Sequence, residues 1–137
     1  MSDLNVQNLN SKTGNSAISI ADDGTVSLST AASGSTQTAN ATGSTTLDFS
    51  TYQNFVLTLT GNVTLANPTT EAVGQSGFIV MIQDGTGGRT VSLGTDYETA
   101  NGAGLTLSSA ASTTDIVPYV VAASGRILLG APQLAFA

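Results

Sequence analysis

The chain reads as an all-β protein: an antiparallel β-sandwich or jelly-roll-like domain with an extended N-terminal arm. Three features point there. Short runs with period-two alternation recur along the sequence, each closed by Gly, Asn, Pro or Ser/Thr, while helical periodicity is nowhere sustained. About eight such runs crowd into the last ninety or so residues, the spacing of sandwich and jelly-roll strands. The chain, at 137 residues, suits one core of ordinary size.

The elements follow in order. Leu4, Val6 and Leu9 open the chain, and Ala17-Ile18-Ser19-Ile20 and Thr25-Val26-Ser27-Leu28 flank Ala21-Asp22-Asp23-Gly24. An Asp-Gly pair between alternating runs predicts a hairpin. The paired aspartates could collect calcium, but the further oxygen ligands of an EF-type loop are missing, and Asp is common in tight turns for backbone reasons alone. From Ala31 to Thr46 almost nothing apolar exceeds alanine, which predicts a flexible linker or an extended arm. The expected division is therefore an arm over 1–45, carrying the hairpin, and a β-domain over 46–137.

Within that domain, strands are expected at Leu47-Asp48-Phe49, Phe55 to Thr60 and Val63 to Leu65, with Gly61-Asn62 as a hairpin turn between the last two. Asn67-Pro68 breaks the ladder. Further strands are expected at Phe78 to Ile82, Val91 to Leu93, Leu105 to Leu107, Ile116 to Val121 and Arg126 to Leu129. Pro118 cannot donate to a ladder, so its strand needs an edge or a bulge there. Phe78 to Ile82 and Ile116 to Val121 are apolar on both faces, whereas a sandwich strand needs only one. The second face is expected against another subunit. Candidate interface residues are Leu4, Val6, Leu9, Ile18, Ile20, Val117, Tyr119 and Val121.

The glycine-rich stretch GFIVMIQDGTGGRTVSLG, 77–94, resembles a phosphate loop at first sight. Phosphate loops run from a strand into a helix, whose N-terminal N–H groups hold the anion. Here alternating runs lie on both sides and the Lys-Ser/Thr pair is absent, so a hairpin turn is expected instead.

Composition excludes much. Charged residues are 9% of the chain, against roughly a quarter in an ordinary soluble domain. Three basic residues (Lys12, Arg89, Arg126) face nine acids, for a net charge of -6, so no nucleic-acid partner is expected. There is no cysteine and no histidine, which removes thiolate chemistry, the Ser-His-Asp constellation and the commonest zinc ligand. Asp96 and Glu98 flank Tyr97 and are the nearest thing to a glycosidase acid pair, but two acids on one loop do not set the separation that reaction needs. No catalytic, cofactor or metal site is therefore expected. The sequons Asn40-Ala41-Thr42 and Asn62-Val63-Thr64 matter only in a eukaryotic secretory pathway. MSDLNVQNLNSK lacks the basic and apolar regions of a signal peptide, and the longest apolar stretch, 116–123, falls far short of the ~20 residues that cross a bilayer. The expectation is a protein soluble as synthesised, with no membrane partner.

The stretch from about Thr46 to Gly130, with GNVTLANP, GQSG, QDGTGGRTVSLG, DIVPY and a closing SGRILLG, resembles a β-rich module of structural proteins in tailed bacteriophages, notably those of marine and cyanobacterial hosts. NLNSKTGNSAISIADDGTVSLST is similar to the strand-turn-strand units of fibre shafts. The resemblance implies a non-enzymatic virion component, trimeric and sandwich-like, made in the host cytoplasm. A capsid decoration (cement) protein on the capsid surface, gripping the major capsid protein or other virion proteins through its arm, is the leading expectation. The alternative is a short tail or head fibre whose tip binds host glycan, with Tyr97 and Glu98 as contact candidates.

Overall fold

A computed structural model describes residues 8–10, 16–28 and 31–137. The chain divides into two compact units, Met1–Ser33 and Gly34–Ala137. In the first, β1 (Asn8–Asn10), β2 (Ser16–Ile20) and β3 (Val26–Leu28) form an antiparallel sheet in that order. The expected hairpin joins β2 to β3, with Ile20 opposite Val26 and Ile18 opposite Leu28. Gly24 takes a left-handed φ of 83°, and Thr25 N donates to Asp23 Oδ1 at 2.9 Å. The Asp-Gly segment is thus a turn built by its own aspartate.

The second unit is all-β and is built from β4 (Thr36–Thr46), β5 (Asn54–Ala66), β6 (Ser76–Gln83), β7 (Val91–Leu93), β8 (Tyr97–Glu98), β9 (Thr114–Ala123), β10 (Arg126–Leu129) and β11 (Gln133–Phe136). They form one curled sheet in the order β4-β5-β6-β9-β10-β8, with β7 on β5 and β11 on β9. The pairing is mixed. β4, β6 and β7 all run parallel to β5, while β9 is antiparallel to β6, β10 and β11. Three passes of chain, 36–46, 54–66 and 76–93, therefore lie side by side in one direction, joined by returns 47–53 and 67–75. Parallel strands ordinarily need a longer crossover. The passes themselves are irregular: between Ala41 and Gly43 of β4 the paired residue of β5 moves from Leu59 to Val63, and Gly43 has a φ of 60°.

Alternation sets the core. Phe55, Leu57, Leu59, Val63 and Leu65 of β5 point inward with Ile79, Met81, Val117, Val121 and Ile127, and the returns add Leu47 and Phe49. Phe49, Phe55 and Tyr119 cluster, with ring centroids 4.9 to 6.0 Å apart. Tyr119 also donates to the Gln53 carbonyl at 2.6 Å, and burial pushes its hydroxyl up to about 12.

Several expectations are corrected here. The Ser/Thr/Ala-rich segment is not a linker, because 36–46 is strand β4, and the unit boundary falls at 33/34 rather than at 45/46. Its inward positions Ala39 and Ala41 are small because they lie close over the core, so the strand has no large apolar residue to announce it. Gly61-Asn62 is no hairpin turn: β5 continues through it as one strand, bulging against β4 at this point, with Thr42 against Gly61. Leu47 to Phe49 and Leu105 to Leu107 are not strands, although their apolar side chains pack on the core. β11, beyond Pro132, was not foreseen. Pro118 sits on an interior strand, but its missing N–H falls where β10 has ended and β11 has not begun, and there its carbonyl accepts from Gly130 N at 2.9 Å.

Two glycines test this packing. A Cβ at Gly77 would strike the Gln53 carbonyl, Asn54 Oδ1 and the Tyr119 ring, whereas one at Gly85 would meet nothing within 4 Å. Gly77→Ala is expected to destabilise the second unit by about 1–3 kcal/mol through overpacking, and Gly85→Ala to shift it by less than about 0.5 kcal/mol. Urea unfolding of both variants measures the contrast.

Candidate functional site

The glycine loop is the natural first candidate. It lies between β6 and β7, but these strands do not pair with each other; both lie along β5, β6 at 55–59 and β7 at 63–65. The expected hairpin is therefore replaced by a loop that leaves the sheet at Gln83 and rejoins the same edge at Val91. Strand alternation around glycines cannot distinguish these cases, and only the loop's length, 84–90, hints at the second.

The loop does gather donors around an anion, and that anion is the chain's own Asp84. Thr86 N and Gly87 N donate to Asp84 Oδ1 at 3.0 and 2.9 Å, and Arg89 Nη2 and Nε donate to Oδ2 at 2.8 and 3.1 Å. The Arg89 hydrogen bond first, then the Gly87 N–H, lower the Asp84 carboxyl to about 2. Beneath it, the side chain of buried Gln83 accepts from Arg89 N and donates to the carbonyls of Arg89 and Ser108, each at 2.9 Å. Gly87 is pressed against backbone atoms of Ser109 and Ala111. The donors a phosphate would need are already engaged.

A second buried acid, Asp115 on β9, accepts from Ser108 N at 2.6 Å, Ser108 Oγ at 2.7 Å and Ala135 N at 2.9 Å. It ties the 105–113 loop and β11 to the sheet. Sequence reading passed over it. The available signal was a lone acid at the start of an apolar run, which needs a partner if it faces inward.

Of the two acids, Asp96 and Glu98, the second is in an ion pair. Glu98 is held by Arg126, whose Nε and Nη2 lie 2.9 and 3.1 Å from its two oxygens. Tyr97 between them is only 5% exposed, so its ring cannot stack on a sugar, and the expected Tyr97 contact is thereby corrected. Burial, then the Asp96 and Glu71 carboxylates, push its hydroxyl well above the ordinary tyrosine range. A groove of about 590 Å³ opens above it, lined by Val91 to Gly94, Tyr97 to Thr99 and Gly102 to Leu105. The polar side chains among its lining residues are those of Ser92, Tyr97, Glu98 and Thr99. Among the described residues no group of three or more His, Cys, Asp or Glu could hold a metal, and no helix is long and apolar enough to cross a membrane.

The candidate interface residues fall in three places. Leu4 and Val6 lie outside the described residues, and Leu9 is in β1, opposite Ile18. Ile18 and Ile20 share one face of the small sheet with Val26 and Leu28, the last two well exposed. Val117, Tyr119 and Val121 point into the chain's own core. Ile116, Pro118 and Val120 alternate with them and face outward, together with Val56, Phe78 and Val80. Both parities of β9 are apolar in sequence, so alternation alone could not choose between them.

If Asp84 organises the loop as described, its contribution is present in full above the ordinary carboxylate value of 3.8 and is lost as pH falls toward about 2. Amide resonances of Thr86 and Gly87 are expected to hold position from pH 7 to about 4 and to move only below that. Asp84→Asn should shift them at neutral pH, and millimolar inorganic phosphate should not shift them in the parent protein.

No curated protein and no solved structure matches the chain. A family described as "Putative phage tail fibre C-terminal domain" matches residues 6–126, which include described strands of both units. That match agrees with the phage-structural resemblance seen in the sequence, and the chain belongs to this family of phage structural modules.

Proposed function

We propose that the protein is a non-catalytic module of a bacteriophage tail fibre, whose β-domain meets the host surface and takes up glycan there. The family match carries this reading, since it runs through 6–126 and is a tail-fibre domain. The site chemistry supports it: Glu98, the acid that lines the groove, is ion-paired with Arg126, while the groove residues Ser92 and Thr99 offer hydroxyls of the kind that hydrogen-bond neutral sugars. Tyr97 lines that groove but is only 5% exposed, so recognition rests on Ser92, Glu98, Thr99 and the backbone around Gly102 to Gly104.

This reading takes the place of the capsid-decoration expectation at the head of the argument. That expectation leaned on a long arm threaded over neighbouring shell subunits, and the part of the supposed arm over 36–46 is a strand of the domain. The partners proposed are other proteins of the fibre and tail.

Gold-labelled antibody against the purified chain, applied to intact particles, tests the location. Label on fibres or at the tail tip is expected, and regular label over the capsid shell would overturn the fibre reading in favour of decoration. In a parallel test, the full chain should bind host envelope polysaccharide in pull-down without shortening it. Replacing Thr99 with Lys at the groove should reduce capture by about tenfold, the effect of losing roughly 1.4 kcal/mol.

A further inference from the structure

The domain's stability leaves one surface unexplained. On the outside of the sheet, cross-strand registers place Val56 beside Val80 and Val80 beside Ile116, Phe78 beside Pro118, and Val120 beside Leu128. Side chains of directly paired residues lie on the same face, so these seven form one patch across four strands. Phe78 is 54% exposed and Val120 40%. Nothing in the inward packing requires them, because Ile79, Met81, Val117, Tyr119 and Val121 already fill the other side.

The patch has relief. Phe78 walls a hollow shared with Thr36, Asn54, Val56, Val80 and Ile116, and Pro118 walls another shared with Val120 and Leu128. A ridge and two apolar hollows on one face can interlock with a copy of themselves. The surroundings are uncharged: β5 and β6 carry no charged residue, and the one acid of β9, Asp115, points inward. Where charge does reach the border, Glu98 and Arg126 cancel each other at 2.9 Å. An apolar centre with an aromatic residue, depleted of charge and rimmed by Thr and Asn, is the anatomy of a protein interface. The charge pattern also selects the occupant. Copies of a chain with net charge -6 can approach closely only through a surface free of acids, whereas a basic partner would be drawn to the acids elsewhere.

We propose that copies of this protein associate with one another through the outward face of β5, β6, β9 and β10, with Phe78 and Val120 at the centre of the contact. The inference concerns the face itself and does not depend on where the protein sits in a virion. The patch is four strands wide, roughly three interstrand spacings of ~4.8 Å or about 14 Å, narrower than the side of about 28 Å that a standard interface of ~800 Å² per partner would have. Association of free chains is therefore concentration-dependent, and strengthens when neighbouring copies are held together.

Sedimentation velocity of the full chain from about 1 to about 300 µM, the range in which an interface of this size acts, reads the result directly. The parent protein is expected to pass from the mass of one chain to a multiple of it, and Phe78→Ser with Val120→Thr to remain a single chain throughout, with an unchanged β-type circular dichroism spectrum. Val80→Thr, an isosteric change on the same face, guards against misfolding of the double variant and should shift the midpoint concentration upward at least fivefold. A parent protein that stays monomeric to the highest concentration would overturn the proposal. So would a multimer untouched by these changes but dissolved by Ile20→Ser with Leu28→Ser, which would place the contact on the small N-terminal sheet.

Discussion

The second unit depends on side-chain amides that close backbone hydrogen bonds where parallel passes begin, bend and end. Parallel β-strands usually return through a helix, which satisfies its own backbone. Here the returns are short and irregular, so their polar groups need other partners. Asn54 Oδ1 accepts from Phe78 N in the following pass, Asn62 Oδ1 from Thr90 N, and Asn67 Oδ1 from Asp96 N. Gln75 donates to the carbonyls of Phe49 and Tyr52, Gln37 accepts from Asp48 N, and Gln53 donates to the Ser76 carbonyl. At equivalent stations the same chemistry joins one pass to the next. An amide suits the task because it donates and accepts at once and brings no ionic desolvation cost.

That requirement accounts for the unusual composition. With so few charges, the chain looks in sequence as though its surface had merely been drained of Lys and Glu. In the structure, uncharged polar residues such as Asn54, Asn62, Asn67 and Gln75 connect the passes. Four of the acids follow the same logic: Asp84 gathers its own loop, Asp115 pins Ser108 and Ala135, Asp48 caps Ser50, and Glu71 accepts from Gly125 N. Carboxylates occupied in this way are poor candidates for acid–base chemistry, which needs a group free to exchange a proton with substrate.

Period-two alternation made the all-β class and most strand positions legible, because the pleat alone decides it. Strand direction was not legible. Alternation is the same in a parallel and an antiparallel ladder, and Gly-Asn at 61–62 or the glycines at 85–88 look alike whether the chain reverses, bends or makes an excursion and continues. β4 was missed for a different reason: a strand whose inner side chains are Gln37, Ala39 and Ala41 has no hydrophobic amplitude to detect. The loop acids were visible as residues but not as a network, since Asp115 and Ser108, or Glu98 and Arg126, meet only once the sheet is assembled.

The doubly apolar strands show where sequence gives the right physics and the wrong residues. Phe78 to Ile82 and Ile116 to Val121 do carry more apolar surface than one core can use, but the inward set is Ile79, Met81, Val117, Tyr119 and Val121. What fixes the parity lies at the ends of these strands. Gln83 must point inward to reach Arg89 and Ser108, and Asp115 inward to reach Ser108 and Ala135; counting by twos from either one places Phe78 and Val120 outside. A one-residue slip would expose both buried polar clamps and bury the opposite row, so the same two side chains that close the loops also dictate which apolar row the domain leaves facing out.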